Sequence, residues 1–247
     1  MQKKISFLNK LFKIAGYFIT SKFVLRHIDG LKMYEDWARK KAIPLEEYCN
    51  ENDPDIWKET LNFYNQFSNL GSERLLETGV KLGGCGGYPF LYFICRCKKP
   101  QTVIETGVAA GWSSAAILKA LELNGTGKLY STDLPYKKRP GAAEAIGILV
   151  EDKFRKNWYL DTQGDRQGLP KIVSMVQEIE LFHFDSDKSY KGREYAFEVV
   201  KEKLADDAII IFDDIQDNFH FKDLVMEYDY NYKVFEFERK FFGVIHP

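Results

Sequence analysis

The stretch that decides the fold is residues 103–118, VIETGVAAGWSSAAIL, in which one apolar run leads through two glycines into a second. We interpret Thr102–Thr106 as a strand and residues 112–123 as a helix, joined by a loop that contains Gly107 and Gly111. Glycine lets the backbone turn sharply and lets a ligand approach the main chain. Because ligands of open parallel sheets bind beyond the carboxyl ends of the strands, this loop is the first candidate binding site.

Short apolar strands alternate with helices along the rest of the chain. Further strands are predicted at residues 128–132, 158–162, 179–184 and 208–212, and helices at residues 169–177 and 189–204. Apolar strands separated by helices indicate a parallel sheet that is covered on both faces. Residues 233–238 and 241–246 are two strands joined by a very short turn, which requires antiparallel pairing. The pattern therefore predicts an α/β fold: a doubly wound, Rossmann-like, mostly parallel sheet of seven strands, closed by a C-terminal antiparallel hairpin.

Residues 1–75 differ from the rest and are interpreted as a helical N-terminal extension, followed by one domain over residues 76–247. Residues 5–19 have apolar side chains at helical spacing. Lys10 and Lys13 interrupt the apolar stretch, so neither a signal peptide nor a spanning helix is expected. We interpret the segment as a helix packed on its own domain or on a second subunit, and the alternative is a peripheral helix at an anionic membrane.

Composition excludes several classes of protein. With 247 residues, 45% of them hydrophobic, the chain can form one large packed domain with an extension. The 35 Lys and Arg residues balance 36 Asp and Glu residues, so no nucleic-acid partner is expected. The four cysteines lack metal-finger spacing, and Cys95 and Cys97 lie in an apolar run without a second pair. We expect free thiols and a cytoplasmic location.

The glycine loop favours a nucleoside ligand over a dinucleotide. Its pattern is Gly-x-x-x-Gly, with Ala109 where a dinucleotide fingerprint has its second glycine, so NAD is disfavoured. Ser113 and Ser114 follow at the start of the helix, where free N–H groups gather. Asp133 ends the second strand, and a carboxylate there can accept both ribose hydroxyls of a nucleoside. The alternative for Asp133 is a helix cap or a turn residue.

Acidic residues also end two later strands. Asp185 follows the fourth strand, and Asp213 and Asp214 follow the fifth. If these strands are neighbours, the three carboxylates converge, and their mutual repulsion favours a bound cation. A hard divalent ion such as Mg²⁺ takes oxygen ligands and lowers the pKa of a substrate hydroxyl. The alternative is that the aspartates cap the following helices or pair with Lys188 and nearby bases.

Residues 105–111 (Glu-Thr-Gly-x-x-x-Gly) followed by Asp133 resemble the first two motifs of class I S-adenosylmethionine-dependent methyltransferases. The sheet of that family is also closed by an antiparallel hairpin, and the resemblance covers roughly residues 76–247. It implies that the loop cradles the amino-acid part of S-adenosyl-L-methionine, that Asp133 holds the ribose, and that the turn 163–165 lies near the adenine. The predicted cofactor residues are Glu105, Gly107, Gly111, Ser113, Asp133 and Asp165.

The acidic cluster resembles the metal site of metal-dependent O-methyltransferases, both the catechol type and the macrocin or sugar type. In these enzymes an aspartate after the fourth strand and an Asp-Asp or Asp-Asn pair after the fifth hold magnesium, and Asp185, Asp213 and Asp214 match those positions. Lys188 stands where the catechol type has its catalytic lysine, and Asp187 where the sugar type has a candidate general base. Related Asp-Ser-x-His-x-Tyr sequences often carry histidine in place of Lys188, so Asp187 and Lys188 are rival candidates for the base. The alternative for Asp187 is a surface helix cap.

The resemblance implies transfer of a methyl group to a hydroxyl of a small molecule, with a sugar or natural product as the acceptor expected by analogy. Two alternatives stay open: a metal-independent methyltransferase that acts on nitrogen or carbon, and a non-catalytic scaffold that binds S-adenosylmethionine. The N-terminal extension matches no family, and such segments form a lid, an acceptor pocket or a dimer contact. A homo-oligomer through these helices is therefore a further open alternative.

Overall fold

The computed structural model describes residues 30–80, 82–83, 86–136 and 139–246. The predicted amphipathic segment over residues 5–19 lies outside the described residues, so its contact with a second subunit or a membrane stays a prediction. Among the helices that the structure describes, none combines the length and the apolar character needed to cross a membrane.

One mixed sheet of eight strands organises the described chain. Its strands are β1 (Ala42–Ile43), β2 (Thr102–Thr106), β3 (Lys128–Thr132), β4 (Trp158–Asp161), β5 (Ile179–Phe184), β6 (Leu204–Phe212), β7 (Asn231–Phe237) and β8 (Lys240–His246). Their order across the sheet is β1-β7-β8-β6-β5-β2-β3-β4, and β8 pairs antiparallel with β6 and β7, whereas the other pairs are parallel. The doubly wound sheet with its C-terminal hairpin is confirmed. The predicted number of seven strands is short by one, because two residues of the N-terminal extension pair with β7 as β1.

Helices cover both faces of this sheet. They are α1 (residues 30–41), α2 (Leu45–Asn52), α3 (Pro54–Thr78), α4 (Tyr88–Lys98), α5 (Trp112–Asn124), α6 (Asp165–Met175), α7 (Tyr190–Val200) and α8 (His220–Glu227). Helices α3–α5 pack on one face and α6–α8 on the other, and neighbouring strand residues alternate between the two cores, as Leu181 and Phe182 do. Because β6 is buried on both sides, its apolar residues follow one another directly.

Several helix boundaries differ from those predicted. Helix α4 was not predicted, because nearly all its side chains are buried and no polar face marks the helical period. Helix α6 begins at Asp165 rather than at Leu169, since its polar first turn precedes the apolar period. Helix α7 ends at Val200, because β6 already begins at Leu204.

The N-terminal helices share the core of the sheet domain. Phe63 of α3 stacks on Tyr92 of α4 with ring centroids 4.5 Å apart, and Phe67 meets Trp112 edge-on at 5.1 Å. The boundary predicted at residue 75 falls inside α3, which ends at Thr78. The division of roles between extension and domain stays a prediction.

A glycine in α3 makes room for Trp112, the first residue of α5. A Cβ atom at Gly71 would overlap the six-membered ring of Trp112. The Trp112 ring system also stacks on Tyr88, with centroids 5.4 Å apart. The extension thereby sets the position of a side chain that adjoins the glycine loop.

Gly71→Ala is expected to lower the free energy of unfolding by about 1–3 kcal/mol, because the added methyl group overpacks the contact with Trp112. Alanine has the higher helix propensity, so the loss would come from packing and not from the helix itself. Denaturant unfolding measures the effect, and Ser72→Ala, at an exposed position of the same helix, is the control. A Gly71→Ala protein as stable as the control would contradict the prediction.

Candidate active site

A cavity of about 580 Å³ opens beyond the carboxyl ends of β2, β3, β5 and β6. This volume lies in the range of small-molecule sites. Its described lining residues with polar or charged side chains are Trp112, Ser113, Asp133, Tyr136, Asp165, Arg166, Asp185, Ser186, Asp187, Lys188, Tyr195, Asp213, Asp214 and Lys240. Of the sequence-predicted site residues, Glu105 and Gly111 do not line the cavity, whereas the others do.

The loop after β2 packs directly on the segment that follows β5. Gly107 has φ of 82°, and a Cβ atom there would overlap the backbone oxygen of Asp185. The N–H of Gly107 donates to the carbonyl oxygen of Thr132 at 2.8 Å. Glycine is required here by both its φ and the close approach. The glycine loop and the acidic segment therefore share one wall of the cavity.

Asp133 braces the same loop from the end of β3. Its carboxylate accepts hydrogen bonds from the backbone N–H groups of Ala109 and Leu134, both at 2.7 Å. Burial raises the pKa of Asp133, and the backbone donors partly offset that rise. Ala109 has φ of 46°, a left-handed conformation that costs a non-glycine residue about 1 kcal/mol. Asp133 thus has a structural role in the cavity wall, and its contact with a ribose stays a prediction.

Glu105 lies behind the loop and not in the cavity wall. It is fully buried, and its Oε2 accepts from the hydroxyls of Ser114 at 2.5 Å and Ser131 at 2.8 Å. Its Oε1 has no hydrogen-bond donor within the described part of the chain and lies 3.7 Å from Nδ1 of the buried His183. Gly111 is likewise withdrawn, as the N-cap of α5. These two residues shape the loop, and any role of theirs in cofactor binding would act through it.

Two other predicted cofactor residues line the cavity at the starts of helices. Ser113 belongs to the first turn of α5, and no side chain of the described chain caps that turn, so its N–H groups are available to an anionic group. Asp165 begins α6, and its carboxylate accepts from the hydroxyl of Thr132 at 2.7 Å and from that of Ser186. Both positions can contact a ligand in the cavity.

The structure brings Asp185, Asp213 and Asp214 together, with one carboxylate oxygen of each within 4.8 Å of the others. They meet because β5 and β6 are parallel neighbours. Burial and the nearby Asp185 raise the pKa of Asp213 to about 7. Burial acts in the same direction on Asp214, but Lys188 and Lys240 lower its pKa to about 2. Ion binding by this cluster stays a prediction.

Two lysines neutralise part of the acidic cluster. The ammonium group of Lys188 contacts Asp185 and lies 3.1 Å from Oδ2 of Asp214, and that of Lys240 lies 2.9 Å from Oδ1. Burial tends to lower the pKa of Lys188, but the attraction of the three aspartates raises it above its ordinary value. A general base at neutral pH needs the opposite shift. In this arrangement Lys188 is a charged counter-ion.

Asp187, the other candidate base, is exposed at the start of α7. Its Oδ1 accepts from the N–H of Ser189 at 3.0 Å, and the Ser189 hydroxyl accepts from the N–H of Gly192 at 3.0 Å. These bonds are typical of a helix N-terminus. Because Asp187 also lines the cavity, its position is compatible with both the cap and the base.

Among the residues that the structure describes, Lys240, Gln216 and Arg193 lie beside the acidic cluster and were not predicted as part of the site. Lys240 pairs with Asp214, and Gln216 donates to Oδ1 of Asp214 at 3.2 Å while its own Oε1 accepts from a backbone N–H of β8 at 2.9 Å. Arg193 holds the backbone of the same turn. For Arg193 alone the sequence offered a signal. It lies three residues before Ala196, on the apolar side of α7, which indicates a buried side chain.

His220 is a buried titratable group beside the site. Its ring lies 5.2 Å from that of Tyr190 and 5.5 Å from that of Phe212, measured between centroids. Burial, aided by the positive charge of Arg193, lowers the pKa of His220 from 6.5 to about 4. The neutral imidazole is therefore the form that the fold accommodates.

We expect His220 to make the fold less stable in acid. The pKa of His220 is lower in the folded state than in the unfolded state, so its contribution to stability is complete at pH values above 6.5. As the pH falls from 6.5 towards 4, about 3 kcal/mol of this contribution is lost. His220→Phe keeps an aromatic ring and removes the proton site. The free energy of unfolding should therefore fall less between pH 7 and pH 4 in the variant than in the wild type. An equal fall in both proteins would contradict the prediction.

Comparisons with known proteins concern the fold and one domain of this chain. Residues 104–215 match the model of a family described as a methyltransferase domain. Similar solved structures include a methyltransferase from Geobacter sulfurreducens, with 15% identity, a TM-score of 0.57, and coverage of 74% of this chain and 90% of that one. An O-methyltransferase from Bacillus cereus in complex with SAH has 14% identity, a TM-score of 0.55, and coverage of 85% and 100%. The SAH-bound methyltransferase of Podospora anserina has 13% identity, a TM-score of 0.52, and coverage of 86% and 93%. No curated protein sequence matches the chain.

Residues 104–215 thus resemble a methyltransferase domain, and the sheet has the fold of the similar methyltransferase structures. The resemblance inferred from its motifs is confirmed at this level. At these identities the solved structures show the fold alone, so the cofactor contacts, the cation and the acceptor are proposals.

Proposed function

We propose that this enzyme transfers a methyl group from S-adenosyl-L-methionine to a hydroxyl of a small molecule, a sugar or another natural product, with the help of a divalent cation. The observation that carries the proposal is the charge of the cavity. Six carboxylates and three basic side chains are among its described lining residues. An acidic, partly buried cavity attracts cationic ligands, and a sulfonium nucleoside and a divalent cation are both cationic.

The cofactor half of the cavity lies between β2 and β4. There, the first turn of α5 with Ser113 would receive the carboxylate of the cofactor, because its N–H groups are uncapped in the described structure. Asp133 retains lone pairs beyond its two backbone bonds and would accept the ribose hydroxyls. Gly107 has no side chain, so the cofactor could approach the backbone of the loop closely. Asp165 would lie towards the adenine.

The acidic half fits a hard divalent cation such as Mg²⁺. Three carboxylate oxygens within 4.8 Å of one another match the oxygen donors that such an ion takes. Asp185, Asp213 and Asp214 would hold it, and Lys188 and Lys240 would have to move from these carboxylates. When bound, the ion would supply Lewis-acid chemistry that lowers the pKa of the acceptor hydroxyl.

The chain's own residues would align the reactants and take up one proton. Methyl transfer breaks the carbon–sulfur bond, whose electrons stay on sulfur, forms a carbon–oxygen bond, and releases the hydroxyl proton. Asp187 is favoured as its acceptor, because it is exposed in the cavity wall, whereas three aspartates hold Lys188 in its charged form. Alignment of two bound reactants supplies a large part of such a rate enhancement.

One observation favours a second candidate function, methyl transfer without a metal. Lys188 and Lys240 already pair with Asp214, and Asp213, whose pKa is about 7, could itself accept a proton at neutral pH. This alternative includes nitrogen and carbon acceptors. It differs from the first in one measurable respect, because its activity would survive a chelator.

Calorimetric titration with S-adenosylmethionine and S-adenosylhomocysteine (SAH), with and without Mg²⁺, tests both halves of the proposal. We expect both nucleosides to bind, and methyl transfer to hydroxyl acceptors to stop in EDTA and to return with excess Mg²⁺. Activity that persists in EDTA would replace the first candidate by the second. Binding without turnover on any acceptor would favour the scaffold, and failure to bind either nucleoside would contradict the proposal.

The setting of the enzyme is also proposed. Helices α1–α3 would contribute to the acceptor side, as a lid or a pocket, or to a homodimer contact. The free thiols of Cys49, Cys95 and Cys97 support a cytoplasmic location. Size-exclusion chromatography with light scattering would test the dimer.

A further inference from the structure

We propose that Arg193 is the positioning residue of the Asp213–Asp214 turn and sets the geometry in which the three carboxylates meet. Arg193 does not line the cavity and belongs to no motif of the sequence. The inference rests on the proposed function in one respect, the cation site formed by Asp185, Asp213 and Asp214.

The contacts of Arg193 are directed at two consecutive carbonyl groups. Its side chain is buried, with 1% of the residue exposed. Nη1 donates to the carbonyl oxygen of Asp213 at 2.9 Å, and Nη2 donates to that of Asp214 at 2.8 Å. A planar guanidinium with two parallel donors fixes the relative orientation of two acceptors, which a lysine cannot do. Both peptide groups of the turn are thereby held by one side chain.

The turn needs such support because its backbone is unusual. Asp214 has φ of 51° and ψ of 42°, a left-handed conformation that is uncommon for non-glycine residues, although aspartate adopts it more readily than most. Strain of this kind persists where the surrounding contacts determine the conformation. Arg193 holds the backbone at this residue, and Gln216 holds its carboxylate.

Arg193 also joins the two halves of the acidic cluster. It lies on α7, the helix that begins just after the Asp185–Ser189 segment, and its donors reach the turn after β6. One side chain therefore connects the segment that carries Asp185 to the turn that carries Asp213 and Asp214. A change at Arg193 would alter the spacing of these carboxylates, although it touches none of their oxygens.

Arg193 keeps its positive charge beside the acidic cluster, whereas a ligand can displace the two lysines. Lys188 and Lys240 line the cavity, so a ligand can displace them from the aspartates. Arg193 lies behind the turn, with its guanidinium 5.6 Å from the centre of the Phe184 ring. Its positive charge therefore stays beside the carboxylates whatever the cavity contains, and reduces the cost of their convergence.

The test compares binding of Mn²⁺ alone and of SAH alone by the wild type and by Arg193→Lys. Lysine keeps the charge but loses the two-pronged contact. Partners behind metal ligands typically change metal affinity by 10- to 100-fold, so we expect the Kd for Mn²⁺ to rise about tenfold or more. The Kd for SAH should change less than about twofold, because its proposed site lies on β2–β4 and not on this turn.

Two further variants make the result decisive. Arg96→Lys is the matched control. Arg96 lies in the last turn of α4, away from the acidic cluster, and also makes a two-pronged contact, to Glu59 at 2.7 and 3.1 Å. The control variant should lose stability and keep wild-type Mn²⁺ affinity. Arg193→Gln, which lacks the charge, should bind Mn²⁺ more weakly than Arg193→Lys. Both Arg193 variants are purified with SAH, whose binding offsets a loss of stability, and SAH is removed before titration.

Wild-type Mn²⁺ affinity in Arg193→Lys would overturn the proposal. An equal loss of Mn²⁺ and SAH affinity would also overturn it, as would failure of both Arg193 variants to fold with SAH present, since each result indicates a purely structural role. If the wild type itself binds no Mn²⁺, the cation half of the proposed function fails and this inference fails with it. Mn²⁺ binding that survives in the variants overturns only this inference.

Discussion

Asp213→Asn is expected to lower kcat by about 100- to 1,000-fold while SAH still binds. Asp213 is one of the three carboxylates of the acidic cluster, and asparagine keeps its shape but removes its charge. Loss of a Lewis acid costs several kcal/mol in the transition state, and each 1.36 kcal/mol is a factor of ten in rate. Because burial and Asp185 raise the pKa of Asp213, its ionised form is unfavourable, and the variant should be at least as stable as the wild type near neutral pH.

The measurement is kcat at saturating S-adenosylmethionine and Mg²⁺, beside the Kd for SAH and the free energy of unfolding. Asp206→Asn is the control, since Asp206 is exposed at the opposite end of β6. It should leave all three quantities unchanged. Equal losses of SAH binding and turnover in Asp213→Asn would contradict separate sites for cofactor and cation, and an unchanged kcat would contradict a role for Asp213.

Asp133→Ala is expected to weaken SAH binding by about 100-fold or more. Two charge-assisted hydrogen bonds to the ribose hydroxyls would be lost, each contributing about 1.5–3 kcal/mol. The variant also loses the bonds from Ala109 and Leu134 to the carboxylate, so part of the loss would come from a displaced loop. The Kd from calorimetry gives the sum of both effects.

A ligand without ribose hydroxyls separates these effects. The wild type should bind the 2′,3′-dideoxy analogue of SAH far more weakly than SAH, whereas Asp133→Ala should scarcely distinguish the two. Asp161→Ala is the control, because Asp161 ends the neighbouring strand β4, pairs with Lys171 at 2.8 Å and does not line the cavity. It should lose stability and keep the discrimination. Full discrimination in Asp133→Ala would mean that Asp133 only braces the loop.

The sheet could be predicted from local patterns because its central strands are buried on both faces. Strands β2, β3 and β5 have the predicted bounds, since each is a short apolar run between turn signals. Helix α4 shows where this reasoning fails. Burial on all sides removes the polar face from which a helical period is recognised.

The candidate site was predictable in its positions and less so in its contacts. Asp133, Asp185 and Asp213 lie at strand ends and reach the cavity, because parallel strands carry their carboxyl ends to one edge. The burial of Glu105 was not predictable, since it depends on hydrogen bonds from hydroxyl groups of α5 and β3. Lys240, which approaches Asp214 from the C-terminal hairpin, lies 26 residues further along the chain.

The sequence by itself determined the class of fold, the glycine loop, and the acidic residues at the strand ends, because these follow from local periodicity and from the backbone freedom of single residues. The tertiary structure alone decided which carboxylates meet and which cations accompany them. Strand β5 pairs with β2 and β6 and not with β4, which precedes it in the chain. The packing free energy of the whole sheet and its helices determines this pairing. It depends on contacts between distant parts of the chain and cannot be inferred from a local stretch of residues.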